Sequence, residues 1–238
     1  MIKSLSVVCF AVSVASFSSI AVAQEEAPVA PPRASAEAPR GTGGALELAL
    51  RTGYGIPLGH TGKVAGDTTD DKLSSTIKGE IPLWLDVGYR FNPEMYLGLS
   101  FQYAFGLMAD GQCPSGVDCS VSDLRLAANF MYHVTPQQPA DLWLGLGVGY
   151  EWLELSASAQ GQSASESGSG FEFANLQAGV DIAATPTFAL GPFVSFSMGE
   201  YRSVSLSGPG ISMDSDVTSK SLHEWLIFGV RGVLDLHI

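Results

Sequence analysis

Long apolar runs are missing from this chain beyond its first 23 residues, although 46% of its 238 residues are hydrophobic. No later stretch holds the roughly 18 consecutive apolar residues that a membrane-crossing helix needs, so we expect no such helix there. Charge is scarce as well, at 15% of the residues, a composition too apolar for a disordered protein. Glycine is abundant, with 27 residues, which favours strands and turns over helices.

Basic residues are also few, with 12 Lys and Arg against 24 Asp and Glu. An acidic surface of this kind repels nucleic acid, which we therefore exclude as a partner. Much of the acid lies in polar segments, for example at Asp67, Asp70, Asp71 and Glu166. We interpret these segments as solvated loops, with a divalent cation site as the alternative, and we predict no metal and no cofactor.

Only three cysteines are present, and Cys9 falls in the leader described below. A lipid-anchored reading of Cys9 is rejected, because Val8 is not small and the apolar run before the cysteine is too short. Cys113 and Cys119 lie in one polar stretch, GQCPSGVDCS. Export to an oxidising compartment favours a disulfide between them. Metal binding is the alternative, and it would need further ligands.

The leader, residues 1–23, has the features of a cleaved signal peptide. Lys3 supplies the positive charge, an apolar stretch follows, and Ala21-Val22-Ala23 matches the small-x-small cleavage pattern. A retained membrane anchor is the alternative. Residues 24–43 are rich in Pro and Ala and hold almost no large apolar group, which predicts a disordered tether.

From residue 44 to residue 238 the sequence alternates with period two. Leu83, Leu85 and Val87 are separated by Trp84 and Asp86, so a strand here would have one apolar face and one polar face. Eight segments follow this pattern: 44–56, 81–91, 95–107, 121–134, 141–155, 171–184, 188–200 and 220–238. They are long compared with the roughly five or six residues of an ordinary strand.

The connections between these segments alternate between short and long. The short ones each contain proline and are residues 92–94, 135–140 and 185–187. The long ones are rich in Ser, Gly and Asp and are residues 57–79, 108–120, 156–170 and 201–219. Short turns on the periplasmic side and long loops outside are the pattern of outer-membrane barrels. With an even number of strands, both barrel ends would be periplasmic and the long loops extracellular.

Bulky apolar residues occupy one face of nearly every segment, while the other face carries Gly, Ala, Ser and charges. Closing eight strands with the apolar face outward satisfies every backbone group in lipid, which an open sheet does not do. We therefore predict an all-β fold, an eight-stranded antiparallel up-and-down transmembrane β-barrel over residues 44–238. A soluble barrel or sandwich is the alternative. Trp84, Trp143 and Trp225 have inward parity, unlike a typical aromatic belt.

The chain resembles the small eight-stranded outer-membrane barrels, the OmpA-like, OmpX-like and OmpW-like group. The likeness rests on the architecture, on the stretch GPFVSF at 191–196 and on the last strand. It implies location in the bacterial outer membrane and contact with its lipids, with lipopolysaccharide and with the barrel-assembly machinery. Members usually end on an aromatic residue, whereas this chain ends on Ile238.

The charges with inward parity are the candidate functional residues. They are Glu47, Arg51, Asp86, Arg90, Asp123, Arg125, Glu151, Asp181, Arg231 and Asp235. Desolvated charges must be paired, and eight strands leave just enough room for side chains to fill the interior. We interpret the set as a salt-bridged plug that stabilises the barrel, with a narrow ion path or gate as the alternative.

An enzyme is the rival class, because some small outer-membrane barrels modify lipid A with a histidine near the outer rim. Only His60 and His223 fall near that end, and we interpret both as loop or rim residues without a catalytic role. The sequence thus predicts a non-enzymatic outer-membrane barrel with a structural, adhesive or surface-interaction role. A narrow channel for small or apolar solutes and a lipid A-modifying enzyme remain the alternatives. The extracellular partner is not identified.

Overall fold

A computed structural model describes residues 43–64 and 70–237. The predicted signal peptide, residues 1–23, lies outside the described residues, as does the predicted tether except for Gly43. In the described part, no helix is both long and apolar enough to pass through a membrane. The only helix that these residues form is α1, Leu73–Thr76.

Ten strands make up almost all of the remaining structure. They are β1 (Ala45–Gly59), β2 (Lys63–Val64), β3 (Ile77–Arg90), β4 (Met95–Met108), β5 (Asp118–His133), β6 (Ala140–Ala159), β7 (Gln162–Ala183), β8 (Phe188–Gly208), β9 (Ile211–Ser219) and β10 (Leu222–His237).

Eight of these strands close into a barrel in which every neighbour is antiparallel. The order is β1, β3, β4, β5, β6, β7, β8 and β10, and β10 pairs with β1 in a register from Ala45↔His237 to Gly59↔His223. The predicted eight-stranded up-and-down barrel is thereby confirmed. Closure leaves no open edge in the barrel wall, which is the condition for placing a sheet in lipid.

The two ends of the barrel differ. At one end, here called the turn end, lie the barrel's first and last residues and three short connections between strands. At the opposite end, here called the hairpin end, two of the four predictions of a long loop are wrong, because residues 156–170 and 201–219 form paired strands. Strands β6 and β7 continue as a paired ladder up to Ala159↔Gln162, and β8 pairs with β9 from Ser203↔Asp216 to Gly208↔Ile211. Gln160 and Gly161 both have positive φ, as a tight type I′ hairpin turn requires.

The two faces of the wall have opposite chemistry. Leu83, Leu99, Leu126 and Leu146 point away from the barrel, and Leu99 is 68% exposed, the highest fraction among the large apolar side chains. Charged and amide side chains point into the lumen and are almost fully buried. This arrangement is inverted relative to a water-soluble protein, in which such a large exposed apolar surface would be unfavourable.

One bulge changes the inward and outward parity of β7. Gly149 pairs with Glu172 and Gly147 with Asn175, so two residues of β7 lie opposite Val148. As a result Glu172 and Asn175 both face the lumen, while Phe171 and Phe173 face outward. Bulges of this kind bend a strand and redirect its side chains.

Candidate functional site in the barrel lumen

All ten charged residues that the sequence assigns to the interior lie in the lumen. Each of them is at most 4% exposed. They separate into two clusters along the barrel axis, one near the turn end and one near the hairpin end, as the register of the strands dictates.

The turn-end cluster is organised around a carboxylate that bridges two arginines. Arg90 Nη2 donates to Glu47 Oε2 at 2.8 Å, and Arg231 Nη2 donates to Glu47 Oε1 at 2.5 Å. Arg231 also donates to Asp181 through its other terminal nitrogen. Because hydrogen bonds accompany the opposite charges, this chain of pairs can offset much of the desolvation of its members.

Two further pairs extend this cluster. Arg51 Nε donates to Asp86 Oδ2 at 2.6 Å, and Arg51 Nη1 donates to Gln177 Oε1 at the same distance. His133, fully buried, lies 2.7 Å from Asp141 through Nδ1 and Oδ2. The polar groups therefore link strands that are far apart in sequence, and they tie together opposite walls of the barrel.

The hairpin-end cluster has one guanidinium among four carboxylates. Arg125 donates to Asp123, and its nitrogens lie 3.6 Å from Glu80, 3.6 Å from Glu151 and 3.8 Å from Glu172. Of these four carboxylates, Glu151 has two further partners.

Glu151 also holds a histidine and a tyrosine. His223 Nε2 lies 3.0 Å from Glu151 Oε2, and Tyr201 donates its hydroxyl to Glu151 Oε1 at 2.9 Å. The rings of Tyr201 and His223 stack with centroids 4.0 Å apart. The interpretation of His223 as a loop residue is wrong, because it lies on β10 and its side chain is only 2% exposed. His60 lies directly after β1 and is only half-buried.

Three tryptophans line the lumen beside the arginines. The Arg51 guanidinium lies 4.6 Å from the ring centroid of Trp84, Arg231 lies 4.9 Å from Trp143, and Arg125 lies 5.0 Å from Trp225. The attraction between a cation and an aromatic face is strongest where water is excluded. These contacts account for the inward parity of the tryptophans.

On the hairpin-end side of the Arg125 cluster, apolar side chains are buried together. Leu73 of α1, Ile77, Val121, Leu153 and Val217 are each at most 6% exposed and pack in one cluster. Asp70, three residues before α1, accepts hydrogen bonds from the hydroxyl of Ser221 and from the backbone N–H of Gly62. These bonds, the first above all, hold the pKa of Asp70 below its usual value.

Several lumen residues were not among the sequence-based candidates. They are Glu80, Asp141, Glu172 and His223. The first two have the same parity as the neighbouring inward residues and could have been found by extending the alternation by one step. Glu172 was hidden by the bulge in β7.

The site shows neither a nucleophile in contact with a base nor a metal centre. Within residues 43–64 and 70–237, no serine hydroxyl is hydrogen-bonded to His60 or His223, and no group of three or more His, Cys, Asp or Glu is arranged to hold a metal ion. Nucleophilic catalysis needs such a contact between nucleophile and base. What the lumen arrangement does provide is a dense set of charge pairs that fills the barrel.

The structure contains the disulfide between Cys113 and Cys119, with Cα atoms 6.0 Å apart. It closes the connection between β4 and β5 at the hairpin end, outside the lumen.

The sequence matches the family described as "Outer membrane protein beta-barrel domain" over residues 10–222. No curated protein gives a match. Among solved structures, the chain is similar to the outer membrane protein OprG of Pseudomonas aeruginosa, with 13% identity, 83% of this chain and 99% of that chain covered, and a TM-score of 0.51. It is also similar to a major outer membrane protein of Thermus thermophilus, with 10% identity, coverages of 81% and 100%, and a TM-score of 0.50. At these identities the likenesses show the fold alone.

Proposed function

Since the chain belongs to the family of outer membrane proteins with a β-barrel domain, we propose that it is a sealed, non-enzymatic barrel of the bacterial outer membrane with a structural and surface-interaction role. The observation that carries this proposal is the lumen, which holds buried ion pairs toward both ends and a cluster of buried apolar side chains at the hairpin end. A barrel filled in this way acts as a rigid support rather than as an open pore.

The apolar belt has the height that a membrane requires. On β6, Leu142, Leu144, Leu146, Val148 and Trp152 are exposed outward. Leu142 and Trp152 are ten residues apart along the strand. At a strand tilt of about 45°, this separation corresponds to a height of about 24 Å along the membrane normal. At the hairpin-end margin of this belt, Tyr150 contacts both Trp152 and Phe171, and aromatic side chains favour the membrane interface.

We assign the hairpin end to the cell exterior. The β6–β7 and β8–β9 hairpins extend beyond the aromatic margin and are rich in Ser and Gly, and the second also carries Asp214 and Asp216, which suits contact with water and with partners. The turn end would then face the periplasm, and the last strand, β10, would be available there to the barrel-assembly machinery. Outer-membrane lipids and lipopolysaccharide would surround the belt.

Single-site labelling tests the orientation. A cysteine placed at Ser163, next to the β6–β7 turn, should react in intact cells with a maleimide that does not cross membranes. A cysteine placed at Gln138, in a short connection at the turn end, is the matched control and should react only after the outer membrane is permeabilised. The reverse pattern would contradict the assignment.

Conductance in planar bilayers tests the seal. The reconstituted protein should give no steps above the lipid background. Reproducible single-channel steps from the unmodified protein would refute the sealed lumen and favour the narrow-channel alternative. The lipid A-modifying alternative is tested by the mass of lipid A from cells that express the protein, which we expect to be unchanged. A new lipid A mass that disappears in His223→Ala would establish that activity instead.

A further inference from the structure

We propose that the outer wall of the barrel carries a specific seat for one lipid A molecule, with an acyl chain in a groove across β4 to β8 and a phosphate at Arg202. The inference rests on the proposed orientation, because it requires the hairpin end to lie in the outer leaflet.

The groove is a depression of about 850 Å³ in the lipid-facing surface. Its apolar lining comes from side chains that point outward, namely Leu99, Leu126, Ala128, Val148, Phe171 and Phe173. It crosses five neighbouring strands, about 19 Å at the usual strand spacing. In a bilayer such a depression is filled by an acyl chain.

Two local features create the groove. Ala128 stands in the outward row between Leu99 and Val148, so a small side chain replaces a bulky one at its centre. The bulge of β7 opposite Val148 moves Phe173 away from the regular ladder. Both features are encoded in the chain itself and leave a concave surface where an ordinary barrel wall would be convex.

Arg202 marks the hairpin-end margin of the groove. Its guanidinium lies 4.6 Å from the centroid of the Phe171 ring, which also lines the groove, and its side chain is exposed. Among the described residues, no carboxylate forms an ion pair with Arg202, in contrast to the four arginines of the lumen. A guanidinium is well suited to bind phosphate with two parallel hydrogen bonds.

Glu200 lines the same margin and helps to define the ligand. Its carboxylate would repel a second anion but can accept hydrogen bonds from sugar hydroxyls or amide N–H groups. A phosphorylated, acylated sugar therefore matches the set of one guanidinium, one carboxylate and an acyl groove. Because the margin lies at the hairpin end, in the leaflet that lipopolysaccharide occupies, we commit to lipid A rather than to a phospholipid.

The experiment compares lipid retention by purified barrels in detergent. Wild-type protein, Arg202→Gln, Arg202→Lys and Lys220→Gln are incubated with lipid A, with lipid A lacking its phosphates, and with phosphatidylethanolamine, and bound lipid is counted by native mass spectrometry. Lys220→Gln removes the same charge at an exposed position outside the groove. Heat-modifiable gel mobility verifies that each variant is folded.

We expect the wild type to bind one lipid A, Arg202→Gln to bind it at least about tenfold more weakly, and Lys220→Gln to bind as the wild type does. Removal of the phosphates should weaken wild-type binding to a similar degree, and Arg202→Lys should recover part of the loss. Ala128→Leu, which fills the groove with an apolar side chain, should reduce binding while leaving Arg202 in place. Equal binding by wild type and Arg202→Gln, or equal binding of phosphatidylethanolamine and lipid A, would overturn the proposal. Failure of the labelling test at Ser163 would instead overturn the orientation.

Discussion

Removal of Arg231 is the sharpest test of the idea that paired charges hold the barrel together. This side chain is fully buried and bonds to both Glu47 and Asp181. In Arg231→Met, Glu47 keeps Arg90 at 2.8 Å, but Asp181 loses the only cation that pairs with it among the described residues. One uncompensated buried carboxylate therefore remains. Breaking a buried pair in this way costs about 3–5 kcal/mol.

The free energy of unfolding would be measured by urea titration of barrels refolded into lipid vesicles. Tryptophan fluorescence is a suitable probe because Arg231 lies 4.9 Å from the Trp143 ring, and gel mobility provides the second probe that a two-state analysis requires. The double variant Arg231→Met with Asp181→Asn leaves no orphan charge, so it should recover a large part of the loss. Lys78→Met is the matched control, since its pair with Asp110 is exposed and should contribute at most about 1 kcal/mol.

The reasoning would be refuted if Arg231→Met unfolded within about 1 kcal/mol of the wild type, since that is the range of an exposed pair. It would also be refuted if the double variant lost as much free energy of unfolding as Arg231→Met and Asp181→Asn lose in sum. Either result would mean that the lumen charges are hydrated and that the plug interpretation is wrong.

Three further predictions follow from the same structure. Leu146→Arg, in the middle of the apolar belt of β6, should destabilise the barrel by about 2–4 kcal/mol in the same urea titration, whereas Leu206→Arg on the projecting hairpin should have little effect. Replacement of both cysteines of the disulfide by serine should remove at most about 2.5 kcal/mol, the entropy of closing so short a loop, and should leave heat-modifiable mobility intact. Ser221→Ala should raise the pKa of Asp70 toward its usual value, which an NMR titration of that carboxyl would detect, because the hydroxyl of Ser221 is the main cause of the lowered pKa. An unchanged Asp70 pKa would mean that this hydrogen bond does not form in solution.

The alternation of side chains was enough to predict which face of most strands points outward. On β3, β4 and β6 the period of two runs without interruption, and Leu83, Leu99 and Leu146 are all exposed as expected. The physical reason is that lipid outside the barrel favours apolar side chains, whereas the lumen favours polar or small ones, so successive residues of a strand differ in polarity. Where that selection acts on both faces, the pattern in the sequence is unambiguous.

The pattern fails where the wall departs from regular pairing. Counting backward from Asn175 with period two would place Phe173 and Phe171 inside and Glu172 outside, the reverse of what the structure shows. A bulge inserts residues without a signature in hydrophobicity, so neither the extra charge in the lumen nor the outward groove was visible beforehand.

The hairpins were missed for a different reason. Residues 156–170 are mostly Ser, Ala and Gly, and beyond the membrane both faces of the sheet meet water, so no apolar alternation is selected. Backbone hydrogen bonds alone maintain these strands. The only signal of them in the sequence is the turn at Gln160 and Gly161. The sequence also does not predict which charges form ion pairs inside the lumen. Arg231 and Glu47, for example, are 184 residues apart and come into contact only when the barrel closes.

The inward tryptophans show how this barrel obtains a packed interior without an apolar core. A lumen of small and charged groups would leave gaps around each guanidinium, and a gap removes the dispersion contacts that close packing provides. Trp84, Trp143 and Trp225 fill that space with rings that also attract the arginine cations. On the neighbouring strand β7, Gly179 makes room for Trp143, because a Cβ atom at Gly179 would meet the Trp143 ring. The interior therefore packs tryptophan rings against arginine cations that also contact carboxylates, which explains why aromatic residues that usually mark the interface occur here on the inside.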